Sequence, residues 1–262
     1  MIVFAFVGGL VGGESPKPKR PAGAERVVYP KPLKEMDALA RSDGLALLEE
    51  SLRWYEQTVA DYTCTFIKQE RIGETLGKTE TTFLKFREKP FSVYLKWSEP
   101  SKGQEVIFVP GRYDEKAVVH PSGLLGMIFR KVSLDPEGKV AMRHSRRPVT
   151  FAGLGNMLRL VVAQSKAAQA KGDLVIEYQG IREEAGRPAY VFNRILPEGK
   201  GYPCHQLFIF IDCEYLLPVR TEAYLWDGRL LSDYRYTDLN LNPGLTDEDF
   251  NPDNREYGYR AF

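Results

Sequence analysis

The sequence predicts a mostly β, α+β fold built on a curved antiparallel sheet with helices laid across it. Three observations carry this. Tyr62–Trp97 holds three strand-like runs broken by Gly73–Gly77 and Lys89–Pro90. A second series of strands fills the C-terminal third. Two amphipathic helices are present, one before the strands and one inserted between the two series. A curved sheet with both faces partly apolar has the shape of a container.

The elements follow in chain order. Ile2–Gly13 is an uninterrupted apolar and small run of 12 residues. It is too short to span a bilayer, which takes ~20 residues, and suits the apolar core of a signal peptide. Residues 1–13 are therefore expected to be a signal-peptide remnant, and the protein to be exported to the periplasm or cell envelope. Residues 14–41 carry five prolines (Pro16, Pro18, Pro21, Pro30 and Pro32) among lysines and arginines. Such a stretch buries little and extends, so a disordered tether is expected there. A single domain is expected over 42–262.

Ser42–Asp61 reads as the first helix, capped by Ser42 or Asp43. Leu45, Leu48, Leu52, Tyr55 and Val59 recur on one face. Phe91, Val93, Leu95 and Trp97 alternate with polar or outward residues, as a half-buried strand requires. Glu105–Val109 and Ala117–His120 read as short strands. Leu124–Arg130 reads as an apolar loop or strand, and Lys131–Val149 as irregular. Thr150–Lys171 reads as the second helix, capped by Thr150 and stopped at Gly172. Strands resume at Leu174–Tyr178, Ala189–Ile195, Gln206–Asp212, Val219–Trp226 and Leu230–Thr237. Asp227-Gly228 marks a tight hairpin between the last two. Leu207–Ile211 is apolar on both faces and needs cover on each side.

Composition narrows the function classes. Lys+Arg number 36 and Asp+Glu 35, so no overall field concentrates nucleic acid. Cys204 and Cys213 flank one extended run. Their ends then lie roughly 30 Å apart at about 3.3 Å per residue, too far to bond. Cys64 can reach either one only if their strands are neighbours. Free, buried thiols are expected, because a domain of this size needs no staple.

Three segments together resemble a bacterial envelope family of unknown function, itself similar to the LolA/LolB lipoprotein-carrier superfamily that includes the sensory domain of RseB. They are Tyr62–Trp97, the run GQEVIFVPGRYD at Gly103–Asp114, and SLDPEGKVAMRHSRRPVTFAGLGNML at Ser133–Leu158. The tail at Asn240–Phe250 is similar as well. The resemblance implies a LolA-like unclosed half-barrel with helices covering the open side. In the carriers that hollow takes acyl chains; fold alone does not transfer the activity.

If the hollow takes a lipid or lipoprotein acyl chain, the candidate lining is Phe66, Phe83, Phe86, Tyr94, Trp97, Phe108, Phe208 and Phe210. Any of these also serves as ordinary core in a domain of this size. Leu124, Leu125, Met127, Ile128 and Phe129 form an apolar stretch suited to a lid or a partner-binding loop. Arg143, His144, Arg146 and Arg147 precede the second helix. They suit the grip of a phosphate or carboxylate head, aided by the backbone N–H groups at the helix start.

No enzyme constellation is expected. The three histidines, His120, His144 and His205, join no nucleophile elbow, HExxH or phosphate loop. Cys204 and His205 point to opposite faces of a strand. Neither cofactor nor metal is expected. The sequence leaves three readings: a non-enzymatic binder of a hydrophobic ligand, an RseB-like sensor or interaction module, and a structural envelope component. Membrane contact is peripheral at most.

Overall fold

The computed structural model describes residues 28–259. The expected signal segment, and the tether as far as residue 27, lie outside the described residues.

The tether expectation is corrected at its C-terminal end. Leu33–Ser42 forms helix α1, with Met36 and Ala40 buried. These two stand four residues apart and so share one face. Pro30 and Pro32 precede the first turn, where a missing N–H costs nothing. Helix α2, Gly44–Thr58, follows at once. Asp43 caps it by accepting from the Ala46 N–H at 2.9 Å. A Cβ on Gly44 would stand 2.6 Å from Ile176 and 2.9 Å from Phe192. Only glycine lets the start of α2 lie this close to the sheet.

The sheet has 12 strands. The first series comprises β1 (Asp61–Ile72), β2 (Thr75–Leu76), β3 (Glu80–Arg87), β4 (Ser92–Glu99), β5 (Glu105–Phe108), β6 (Ala117–His120) and β7 (Val132–Leu134). The second comprises β8 (Val175–Glu184), β9 (Arg187–Ile195), β10 (Gln206–Asp212), β11 (Pro218–Tyr224) and β12 (Leu230–Leu241). Every pairing is antiparallel, in the order β7-β6-β5-β4-β3-β1-β12-β11-β10-β9-β8, with β2 hung on β1. The first and last strands pair at the centre, with Tyr62 opposite Leu241 and Glu70 opposite Ser232. The edge strands β7 and β8 do not pair with each other. The result is the unclosed half-barrel that the family resemblance implies.

Helix α3, Gly123–Ile128, joins β6 to β7, where a loop or strand was expected. Its sequence is apolar on every face, so no period distinguishes helix from strand. A Cβ on Gly126 would stand 2.0 Å from the Pro121 carbonyl oxygen, which seats this helix on the preceding loop. Helix α4, Leu154–Ala170, lies between β7 and β8 in sequence. Those strands are opposite edges, so the connection crosses the sheet. Leu154, Leu158, Val161 and Val162 face the concave side.

The expected helix start at Thr150 is displaced to Leu154. Val149–Phe151 makes a separate short turn, and Gly153, at φ 109°, caps α4. The Leu154 N–H donates to the Tyr62 hydroxyl at 2.8 Å instead of to a local cap.

The C-terminal segment covers the convex face of the first strand series. Tyr94 stacks on Tyr257 at 4.2 Å, Lys85 pairs with Asp249 at 2.7 Å, and Phe250 is fully buried. All three cysteines are free and buried.

Candidate functional site: a half-filled trough

Successive strand residues alternate between faces. On β1, Tyr62, Cys64, Phe66, Lys68 and Glu70 all point to the concave side. The concave face is filled differently along its length. At the end nearer Tyr62, α1, α2 and the start of α4 close the space. Leu47, Leu48, Tyr55, Tyr62, Phe86, Tyr190 and Phe192 are fully buried there. Tyr62 stacks on Phe86 at 5.1 Å, and Tyr55 donates to Glu88 at 2.6 Å. A Cβ on Gly153 would stand 2.5 Å from the Phe86 ring, so α4 can begin this close only with glycine.

The other end is hollow. A cavity of about 970 Å³ lies between the sheet and its roof. That is at the upper end of the ~300–1,000 Å³ typical of small-molecule sites. The floor and walls are Phe66, Leu84, Leu95, Trp97, Val106, Val119, Leu207, Ala223 and Tyr236. The roof is one face of α4, with Met157, Leu160, Val161 and Gln164, and the strap at residues 140–149.

The strap is tied to β1 through a compact polar group. The Lys68 ammonium lies 3.2 Å from Glu70 and 3.7 Å from Glu80, and donates to the Ser145 hydroxyl at 3.4 Å. The Arg146 N–H donates to Glu70 at 3.2 Å, and Tyr234 donates to the same carboxylate. Burial, reinforced by Glu70, pushes the Tyr234 phenol above its ordinary pKa. Trp97 donates to Glu80 at 2.7 Å. The Glu70 side chain is 5% exposed, so its pairings act in a low dielectric.

Across the hollow stands a cation of a different kind. Arg194 is 1% exposed and lines the cavity. It reaches Gln164 Oε1 at 3.4 Å and Cys204 Sγ at 3.6 Å, and its Nε has no partner. Burial pushes its pKa below the ordinary value, with the Cys204 thiol opposing.

The expected site residues divide by face and by end. Phe66 and Trp97 line the cavity. Phe86 and Phe108 are buried near Phe91 at the filled end and do not line this cavity. Phe83 and Tyr94 pack on the convex face under the C-terminal segment. Phe208 and Phe210 also face outward, where Phe210 lies under the Arg220 guanidinium. Strand parity is the reason: Leu84, Leu95 and Leu207, one residue away, take the inward positions.

Leu124, Leu125, Met127, Ile128 and Phe129 are 79, 60, 71, 70 and 53% exposed and line no part of the cavity. The lid expected there is corrected: residues 140–149 roof the hollow instead. Arg143, His144, Arg146 and Arg147 do lie along the cavity, on that strap. The expected help from the start of α4 is limited, because the Leu154 N–H is committed to Tyr62. Arg147 lies over the Phe151 ring at 4.5 Å, and Arg146 donates to the Arg71 carbonyl at 3.0 Å.

Sequence reasoning missed Lys68, Glu70, Gln164 and Arg194. For Arg194 a signal existed: Tyr190, Phe192 and Arg194 fall in phase on one strand face, so the last had to point inward.

Among the described residues, no group of three metal-ligating side chains lies together, and no helix is long and apolar enough to cross a membrane.

No curated protein matches this chain. Solved structures do. A chain of the Pseudomonas aeruginosa MucA/MucB complex is 17% identical, over 80% of this chain and 61% of that one, with a TM-score of 0.48. The Mycobacterium tuberculosis lipoprotein LppX is 14% identical, over 78% and 99%, with a TM-score of 0.45. A LolA superfamily protein from Nitrosomonas europaea is 11% identical, over 78% and 97%, with a TM-score of 0.32. This chain spans 62 and 59% of the length of two MucB chains that it matches. At the level of sequence, residues 59–259, from the end of α2 through the C-terminal cover, match the family described as "Protein of unknown function (DUF1571)", and the chain belongs to that family.

Proposed function

We propose that this chain is an exported envelope protein that binds a hydrophobic ligand, a lipid or a lipoprotein acyl chain, in the hollow half of its trough, and that it does so without catalysis. One observation carries the reading. A cavity of about 970 Å³, walled largely by apolar side chains, is left unfilled by the protein itself. Apolar surface moved from water into such a space stabilises by ~25 cal/mol per Å². A chain-like ligand gains this along its length. The sheet wall is continuous and paired, whereas the strap is held mainly by the Lys68–Glu70 group. The strap is therefore the element that moves aside for access.

The exposed apolar side chains of α3 favour a second, compatible role, an interaction module that contacts an envelope protein or a membrane surface peripherally. Arg130 and Lys131 adjoin that patch.

The test is native mass spectrometry of protein purified from its own cells without detergent. The reading predicts a co-purifying lipid-sized mass that is lost in Ala223→Phe, which fills the cavity floor. A wild-type protein that is ligand-free and takes up no added lipid contradicts it.

A further inference from the structure

One row of paired residues spans the hollow. Arg194 lies opposite Leu207, Leu207 opposite Ala223, Ala223 opposite Ser232, and Ser232 opposite Glu70. All five line the cavity. Four inter-strand steps of ~4.8 Å make this row about 19 Å long, measured along the sheet. It is charged at its two ends and apolar or small between them.

The ends differ in one respect. Glu70 has its countercharge and hydrogen-bond donors in Lys68, Tyr234 and the Arg146 N–H. Arg194 has no carboxylate partner among the described residues, only a side-chain amide oxygen, a thiol sulfur and a vacant Nε. A guanidinium does not shed its proton at any working pH, and a buried charge is retained where something pairs with it. Gln164 spends its amide oxygen on Arg194, so its NH₂ remains to donate at the same place. The neighbouring Leu207 and Ala223 offer only apolar surface.

We infer that Arg194 and Gln164 seat the carboxylate of a long-chain fatty acid, whose tail runs over Leu207 and Ala223 toward the opposite wall. The inference rests on the ligand-binding reading of the trough and adds the chemical class of the ligand. A planar carboxylate matches the guanidinium fork. One cation balances one negative charge; a dianionic phosphate head would leave an excess charge against an apolar wall.

The experiment compares oleate with methyl oleate, the same chain without the charge, by calorimetric titration of delipidated full-length protein. Oleate is expected to bind wild type about ten-fold or more tighter than the ester, the size of effect a charge-assisted pair supplies. Arg194→Met is expected to bring oleate down to the level of the ester. Gln164→Leu, kept as a milder change on the exposed side of the pair, is expected to weaken oleate alone. Equal affinity of wild type for acid and ester overturns the inference and leaves the trough reading standing. Loss of both ligands in parallel by an Arg194→Met protein whose circular dichroism and thermal midpoint show it folded overturns it too. Failure of wild type to bind either ligand overturns the trough reading itself. The wild-type comparison needs no variant, so the inference is testable even if Arg194→Met does not fold.

Discussion

Tyr62 and Phe66 stand four residues apart on the same face of the same strand, yet they belong to different regions of the molecule. Tyr62 is fully buried, stacked on Phe86 and bonded to the start of α4. Phe66 lies against Tyr236 at 4.9 Å and otherwise faces a cavity. The strand, the residue class and the periodicity are alike. The difference lies in the cover. Helix α2, through Tyr55, and the start of α4 meet over Tyr62, while one helix face and a polar-tied strap cross over Phe66. An aromatic residue pointing inward therefore does not by itself distinguish core from binding wall; the element packed above it decides.

The sharpest way to break that comparison is to truncate one ring in each region. Phe86→Ala is expected to cost about 3–5 kcal/mol, as for a fully buried aromatic. Phe66→Ala is expected to cost about 1–2 kcal/mol, because one side of the ring already lacks packing partners. Denaturant titration of both variants reads the gap, and equal costs would erase the distinction between the two ends.

Gly153→Ala comes next. The new Cβ would stand 2.5 Å from Phe86 at a φ of 109°. A loss of about 2–3 kcal/mol is expected. An unchanged thermal midpoint would show that the filled end is looser than its packing implies.

A smaller, local effect is expected from Glu70→Gln, which weakens the tie between strap and sheet. Glu80 remains 3.7 Å from Lys68, so the cost is about 2 kcal/mol. It is expected as faster amide exchange over residues 141–149, with β9–β11 unaffected. Uniform acceleration across the sheet would mean that the strap is no separate unit.

The smallest effect concerns the latch of the N-terminal segment onto α2. Arg53, Tyr29 and Lys31 hydrogen-bond to Glu50 and hold its carboxyl at about 2, against an ordinary value of 4.5. A depressed carboxyl pKa stabilises the folded state fully above about 4.5, and the contribution fades as pH falls through about 2. Glu50→Gln is expected to cost about 1 kcal/mol at neutral pH, after solvent screening, and nothing near pH 2. A cost that persists at acid pH would assign the latch to packing.

Much of the fold was legible because alternation and turn residues act locally. Ala117–His120 and Gln206–Asp212 form strands with the bounds read from the sequence, as short apolar runs between turn residues. Asp227-Gly228 makes the expected hairpin, with Gly228 at φ 80°. The site was less legible because it depends on absolute face and on long-range cover. Alternation groups Phe208 with Phe210, but nothing local says that the pair points outward. Helix α1 was hidden by composition, since Pro30 and Pro32 read as an extended chain although the helix begins just after them. The strap arginines were singled out by their density, whereas Arg194, alone in an apolar strand, carried only its phase.

Trp97 lines the hollow, and Trp54 sits at the filled end with its indole N–H on the Tyr215 carbonyl at 2.9 Å. Two single-tryptophan proteins, made by replacing the other tryptophans with phenylalanine, can be titrated with a dibrominated stearate, whose bromines quench only at close range. Saturable quenching of Trp97 at a one-to-one ratio is expected, with Trp54 undimmed. Equal quenching of both, or of neither, would contradict the claim that one half of this trough is an open seat for an acyl chain.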